Sequence, residues 1–239
     1  PVLEDLNIKG FFFVSTSVFG KKQMNLELFR HFRTNYFKSI DDFYLEFYKI
    51  LNKDLKKFFA TYKNQINIKK KKCPFYSLED IKFRFVRDIY LSGKDYDKNM
   101  YNLFKEKKFD PLKLNLKFHF SSENLIKLNS LNHTIGIHSH NHPTLLENLS
   151  IDKQKREYTK SISKISKILK KKPDEIKTLA HPNGSYNIKT LKILKNLGLK
   201  LGFKSTPTID HDKGMKKINN SSLEIARYNH SVILKQINR

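Results

Sequence analysis

The chain has 239 residues, with 47 Lys plus Arg against 23 Asp plus Glu, one Cys and no Trp. A chain of this length hides roughly 70% or more of its unfolded surface in one or two domains, and 19 Phe with an aromatic share of 13% exclude wholesale disorder. The formal charge of +24 suggests a nucleic-acid or anionic-surface partner, but 40 of the cations are Lys and 7 are Arg, whereas phosphate and base recognition favours the planar Arg fork; a lysine-coated, solvated surface is the simpler reading.

Cys73 alone forms no internal disulfide, so cysteine usage does not demand an oxidising compartment. The longest apolar run near the start, residues 10–14, is far short of the roughly 20 residues that span a bilayer. No charged segment, apolar stretch and small-residue cleavage site open the chain. The compartment therefore stays open between cytoplasm and cell envelope.

In chain order, Pro1 to Ile8 reads as the end of an amphipathic helix, with Val2, Leu3 and Leu6 on one face and a stop near Gly10. The pattern looks entered in the middle, which leads to the expectation that residues precede Pro1. Phe11 to Val14 is a continuous apolar run of strand length, as in a parallel sheet covered on both faces. From Asn25 to about Phe118 apolar residues recur at helical spacing, among them Phe43, Phe47, Ile50, Leu51, Leu55, Phe58 and Phe59, and this stretch is expected to be a set of helices inserted into the main fold. The run Lys69 to Lys72, followed by Cys73-Pro74, reads as a solvated loop.

Ser121 to Asn124 starts a helix, and Thr134 to Ile137 is a short buried strand. A long helix is expected from about Asp152 to Lys170, a strand at Lys177 to Ala180, a helix at Asn187 to Leu197 stopped by Gly198, and a strand at Leu199 to Phe203. Helix, strand and polar turn alternate, which argues for a parallel α/β fold of barrel-like kind.

The strongest chemical signal is His138-Ser139-His140-Asn141-His142, placed directly after an apolar strand. Neutral imidazoles are common zinc ligands, and the C-terminal ends of parallel strands are where such folds build sites. Ile135 to Pro143 resembles the second motif of the polysaccharide deacetylase (NodB-like) family: a His, a Ser or Thr, two variable residues, then a His. Asn132 to Gly136 matches the context before it. The resemblance implies that His138 and His142 bind a divalent metal, usually zinc, that Ser139 braces the loop, and that His140 is a bystander or supporting group.

Leu179 to Asn187 resembles the family's third motif, which implies an oxyanion-stabilising role for the backbone N–H of Asn183 in a turn shaped by His181, Pro182 and Gly184. Leu223 to Arg227 resembles the last motif, with Arg227 retained as a supporting residue. Ala226 stands where the family often has the His assigned as general acid. His230 is the substitute candidate and requires the loop to bend back. The family's first motif, Thr-Phe-Asp-Asp-Gly, supplies a base Asp and a metal-ligand Asp and is expected just before Pro1. Asp41-Asp42 follows Ser39-Ile40 at a helix start and reads as a cap instead.

Taken over the chain, the resemblance covers Pro1 to about Ser17 and Leu116 to about Arg227. It implies one deacetylase-like domain over 1–239, a distorted (β/α) barrel lacking its first strand, with 25–118 as a helical insertion. The implied activity is metal-dependent hydrolysis of acetyl groups, most simply N-acetyl, from a polysaccharide or glycan. Without the Asp pair the chain is expected to be inactive or weakly active. Two other readings stay open: a non-catalytic carbohydrate-binding module on a degenerate deacetylase fold, favoured by Ala226, and a basic nucleic-acid binder, for which no recognised motif speaks. A basic surface also suits salt-sensitive peripheral association with an acidic envelope polymer.

Overall fold

The computed structural model describes residues 2–20, 25–51, 53–73, 76–91, 93–114 and 120–237. Pro1, Pro74 and residues 116–118, which enter the reading above, lie outside the described residues. Two compact units form, one from Pro1–Gln23 with His119–Arg239 and one from Met24–Phe118. In chain order the elements are α1 (Val2–Asp5), β1 (Phe11–Val14), α2 (Leu26–Asn35), α3 (Ile40–Leu51), α4 (Lys56–Thr61) and α5 (Lys63–Lys72). There follow α6 (Leu78–Phe85), α7 (Gly93–Glu106), α8 (Ser122–Ser130), β2 (Thr134–Ile137), α9 (Ile151–Leu169), β3 (Thr178–Ala180), α10 (Ile188–Asn196), β4 (Leu201–Phe203) and α11 (His230–Ile237).

The first unit has the α/β architecture expected. Its four strands lie in the order β1-β2-β3-β4 with every neighbour parallel, Phe11 opposite Thr134, Ile137 opposite Leu179, and Leu179 opposite Gly202. Right-handed crossovers that always advance in one direction put their helices on one face, and α8 packs against α9 and α9 against α10. The strand order does not reverse anywhere along the sheet. The ladder continues past β4, because Ile225 forms a parallel bridge with Phe203.

Each element follows from its residues. Tyr158, Ile162 and Ile165 recur at helical spacing on α9 and are buried against a core that includes Ile137, Leu179 and Leu194. Ser121 caps α8, its Oγ accepting from Asn124 N at 3.1 Å while Asn124 Oδ1 accepts from Ser121 N at 3.1 Å. Asn187 caps α10 in the same way with Thr190. Lys170 ends α9 in the left-handed region, at φ 54°.

Two expectations are corrected. Helix α1 stops at Asp5, and Asn7 turns the chain at φ 52° before Gly10 is reached; of the face named above Leu3 is half-buried, whereas Val2 is 69% and Leu6 62% exposed. One turn of helix followed by a left-handed residue gives these side chains no described neighbour to cover them. The lysine run is also not a loop. It forms the last turn of α5, closed at Cys73, because lysine is a good helix former and costs little to order when its ammonium stays in water.

The second unit has its own core, built by Phe29, Phe32, Phe43, Phe47, Phe83 and Phe104. The rings meet mostly edge to face, as Phe43 and Phe83 do at 5.3 Å and 72°, the arrangement that brings a ring's positive edge to its neighbour's negative face. Asp42 is part of a cap, as its sequence position suggests: Ser39 Oγ accepts from Asp42 N at 3.1 Å and Asp42 Oδ2 accepts from Ser39 N at 3.0 Å.

Candidate functional site

Because the strands are parallel, the residues that follow them emerge at one end of the sheet: Ser15 and Thr16 after β1, His138 after β2, His181 after β3 and Lys204 after β4. His138 N–H donates to Val14 O at 3.1 Å, continuing the β1–β2 ladder by one residue, and the Ser15 hydroxyl donates to His138 O at 2.9 Å. Its ring is oriented from the next strand: Nδ1–H donates to Ala180 O at 2.8 Å. With that proton taken, Nε2 presents a lone pair. His142 Nε2 faces it at 3.2 Å. Burial, and next the neighbouring His142, push His138 down to about 4, so the imidazole is neutral at pH 7 and able to act as a ligand.

The loop that carries the pair is held tightly. Ser139 and His142 adopt left-handed backbone at φ 61° and 53°, a conformation that non-glycine residues take only where surrounding bonds enforce it. Those bonds are present. Ser139 is fully buried; its Oγ accepts from His142 N at 3.0 Å, and its carbonyl accepts from Ser161 Oγ at 3.2 Å and Thr16 N at 3.3 Å. Glu157 on α9 clamps the outer side, accepting from His140 N at 3.0 Å, Asn141 N at 2.7 Å and Asn141 Nδ2 at 2.6 Å. His140 is tied elsewhere, its Nδ1 at 2.9 Å from Thr16 Oγ1.

The third-motif turn lies at the end of β3. His181 is 1% exposed, stacks on Tyr186 at 4.2 Å and 28°, and donates from Nε2 to Leu223 O at 2.8 Å. Its Nδ1 has no partner among the described residues, and burial pushes its pKa down to about 4. Pro182 is buried, whereas Asn183 is exposed with φ 50°. Gly184 has φ 71°, and a Cβ there would meet Ser205 Oγ at 2.4 Å, so the turn needs glycine for both conformation and space.

Of the remaining residues, Arg227 acts on the pair through its charge, which helps to hold His138 in the neutral form. Arg227 Nε donates to Lys204 O at 2.5 Å, and Ala226 N donates to Asn219 Oδ1 at 2.6 Å. His230 is exposed at the head of α11, with no hydrogen bond to the pair among the described residues. Sequence reasoning did not single out Ser15, Thr16 or Glu157. The first two are signalled by polar residues placed directly after an apolar strand. Glu157 has no local signal, since its partners are 16 and 17 residues away.

The donor set fits a divalent cation in part. Two nitrogens each about 2.0–2.1 Å from one tetrahedral zinc stand about 3.3–3.4 Å apart, and the pair stands 3.2 Å apart with the His138 tautomer fixed for ligation. Among the described residues, however, no group of three or more His, Cys, Asp or Glu is placed to hold an ion. The described chain therefore offers two ligands, and the remaining positions fall to water, substrate or groups outside the described residues.

Comparison with known proteins agrees with the resemblance read from the motifs. Similar solved structures include Streptococcus pyogenes deacetylase PplD in complex with acetate, 22% identical with a TM-score of 0.39 over 56% of this chain and 58% of that one, and IcaB from Ammonifex degensii, 15% identical with a TM-score of 0.37 over 56% and 61%. The chain thus spans less than two thirds of either. No curated protein matches significantly. The family model for polysaccharide deacetylase covers residues 87–202; it takes in both the histidine loop and the third-motif turn, begins inside the helical unit, and ends before Arg227. Residues 87–202, just under half of the chain, thus match the polysaccharide deacetylase family model.

Proposed function

We propose that the protein is a metal-dependent deacetylase that removes acetyl groups, most simply N-acetyl, from a polysaccharide or glycan. The observation that carries this reading is the pairing of two imidazole Nε2 atoms at 3.2 Å, one of them fixed as a lone-pair donor by the Ala180 carbonyl, on the strand ends of a chain segment that matches the family. His138 and His142 would hold the ion, and zinc is the natural choice for two neutral imidazoles. When bound, such a cation supplies Lewis-acid polarisation of a carbonyl and a water of lowered pKa.

The chain's own residues perform the rest. Ser139 and Glu157 hold the loop so that both rings keep their mutual orientation without reorganising when a ligand arrives. Asn183 is exposed at the adjoining turn, and its backbone N–H is the donor offered to an oxyanion; a main-chain donor tolerates the change of side chain from the family's Tyr. Residues 25–118 are an insertion within the deacetylase domain on this reading.

The test uses the whole chain. Zinc should raise the melting temperature, and the rise should vanish in His138→Ala and His142→Ala, since a ligand that binds only the folded state stabilises it. With zinc present, an N-acetylated chitooligosaccharide should bind more tightly than its deacetylated counterpart, and that preference should also need both histidines. Acetate release dependent on zinc and on both histidines establishes hydrolysis. Acetyl-selective binding without release fits both the carbohydrate-binding module and a deacetylase chain without its Asp pair, and absence of any zinc response defeats the metal-site reading.

A further inference from the structure

Helix α9 carries Lys153, Arg156, Lys160, Lys164 and Lys167 at steps of three and four residues, which places all five on one stripe of the helix. Four of them are exposed and Lys164 is half-buried. None is in an ion pair with a described residue. The acid nearest in sequence to the stripe's middle, Glu157, has both carboxylate oxygens engaged by the histidine loop. The stripe therefore presents five cations over roughly 21 Å of helix, about one per 5.4 Å turn, with the Glu157 carboxylate turned to the loop at its middle. It also borders the site: Glu157 projects from its middle to the loop, accepting from His140 N at 3.0 Å and Asn141 N at 2.7 Å.

We propose that this stripe is a docking track for an anionic polysaccharide bearing one carboxylate per sugar, which it leads to the histidine pair. Charge complementarity selects the partner. A cation each turn matches the length of one sugar in an extended glycan, whereas duplex nucleic acid presents a charge about every 1.7 Å. Four of the five cations are Lys rather than Arg, point charges without the planar fork that reads base edges. No aromatic side chain of α9 is exposed to stack on a base: Tyr158 is fully buried. The apolar side of α9 is committed to the core, so the helix cannot lay that face into a lipid surface.

As a statement about substrate class the proposal rests on the deacetylase reading; as a statement about binding it is tested without turnover. The full chain is titrated with polygalacturonate, with neutral dextran, with a single-stranded DNA oligomer and with anionic phospholipid vesicles. Lys153→Gln/Lys160→Gln/Lys167→Gln removes three exposed charges from the stripe, and Lys57→Gln/Lys63→Gln/Lys69→Gln removes the same charge from exposed positions of α4 and α5. Polygalacturonate should bind in a salt-sensitive way and dextran should not. The α9 triple variant should lose roughly tenfold in affinity or more, at about 0.5–1 kcal/mol per exposed charge pair, and the control triple less than about twofold. Equal loss in both triples, or DNA or vesicles bound as tightly through the same lysines, overturns the proposal. Polygalacturonate binding should persist in the presence of a chelator, so failure of the metal site and failure of the track are separately visible.

Discussion

His181 is a buried imidazole whose two nitrogens have different fates: Nε2–H is paired with Leu223 O at 2.8 Å, and Nδ1 has no described partner to receive a second proton. Burial is the main cause of its low pKa, about 4 against the ordinary 6.5, and the consequence for stability has a definite sign. Above pH 6.5 the folded and unfolded chains both hold neutral His181, and its contribution is complete. Between 6.5 and 4 the unfolded chain gains a proton that the folded chain refuses, so stability falls with pH until both states are protonated below 4. For His181 this amounts to about 3 kcal/mol. His138 is depressed in the same direction and adds to the same window. His181→Gln keeps a donor for Leu223 and removes the titration. Urea unfolding with chelator at pH 7, 5.5 and 4 should show a shallower acid loss for that variant than for the wild-type chain; an identical slope would acquit His181. At this scale the sequence was legible where chemistry is local. The spacing of His138 and His142 is visible in five residues, and Ser139 sits in the motif. The Ala180 carbonyl that fixes the ring and the Glu157 clamp were not legible, because one is a backbone atom every residue possesses and the other arrives from a helix across the fold.

Elements are placed here by close backbone approach as much as by apolar burial. A Cβ on Gly136 would lie 2.5 Å from Thr178 Oγ1 and 2.6 Å from the Phe13 ring, and one on Gly202 would lie 2.4 Å from Leu223 O and 2.9 Å from Leu223 C. The difference in neighbours decides the outcome. Side chains around β2 can shift, whereas Leu223 is backbone in a segment already bonded to β4 through Gly202 N to Ser222 O at 2.8 Å and Ile225 N to Gly202 O at 2.7 Å. Gly136→Ala should cost about 1–3 kcal/mol, the usual range for overpacking, and Gly202→Ala at least as much, because it must displace the strand-like segment that also supplies the acceptor for His181. Urea midpoints of the two variants check the order, and a milder Gly202→Ala would show that this segment yields. Helices announced themselves through caps such as Ser121 and Asn187, whose side chains act on residues three positions away. The short strands were legible as apolar runs, but their trimmed ends were not. Lys177, Leu199 and Lys200 lie outside β3 and β4 although the strands expected from sequence include them, since ladder pairing is set by the neighbouring strand. The lysine run at the end of α5 misled because solvation is compatible with helix as well as loop.

At the scale of the molecule, two hydrophobic cores share no residue: one surrounds Ile137, Tyr158, Ile165 and Leu179, the other Phe32, Phe43, Phe47 and Phe83. The candidate site belongs to the first unit entirely, with its loop, its clamp and its third-motif turn all drawn from Pro1–Gln23 and His119–Arg239. A ligand there can stabilise directly only the unit whose folded state builds the site. Cores that unfold separately give calorimetric transitions that respond separately. Scanning calorimetry should therefore resolve two transitions. Zinc should raise one and leave the other in place, and Gly136→Ala should lower that same one. Phe83→Ala, which opens a cavity in the aromatic core at about 3–5 kcal/mol, should lower only the other. Salt should not reverse this assignment, because the +24 charge is carried largely by solvated lysines whose repulsion is screened over about 10 Å at 0.1 M. A single transition moved by all three perturbations would instead mean that the two cores melt as one cooperative body, and that occupancy of the histidine pair is felt throughout the chain.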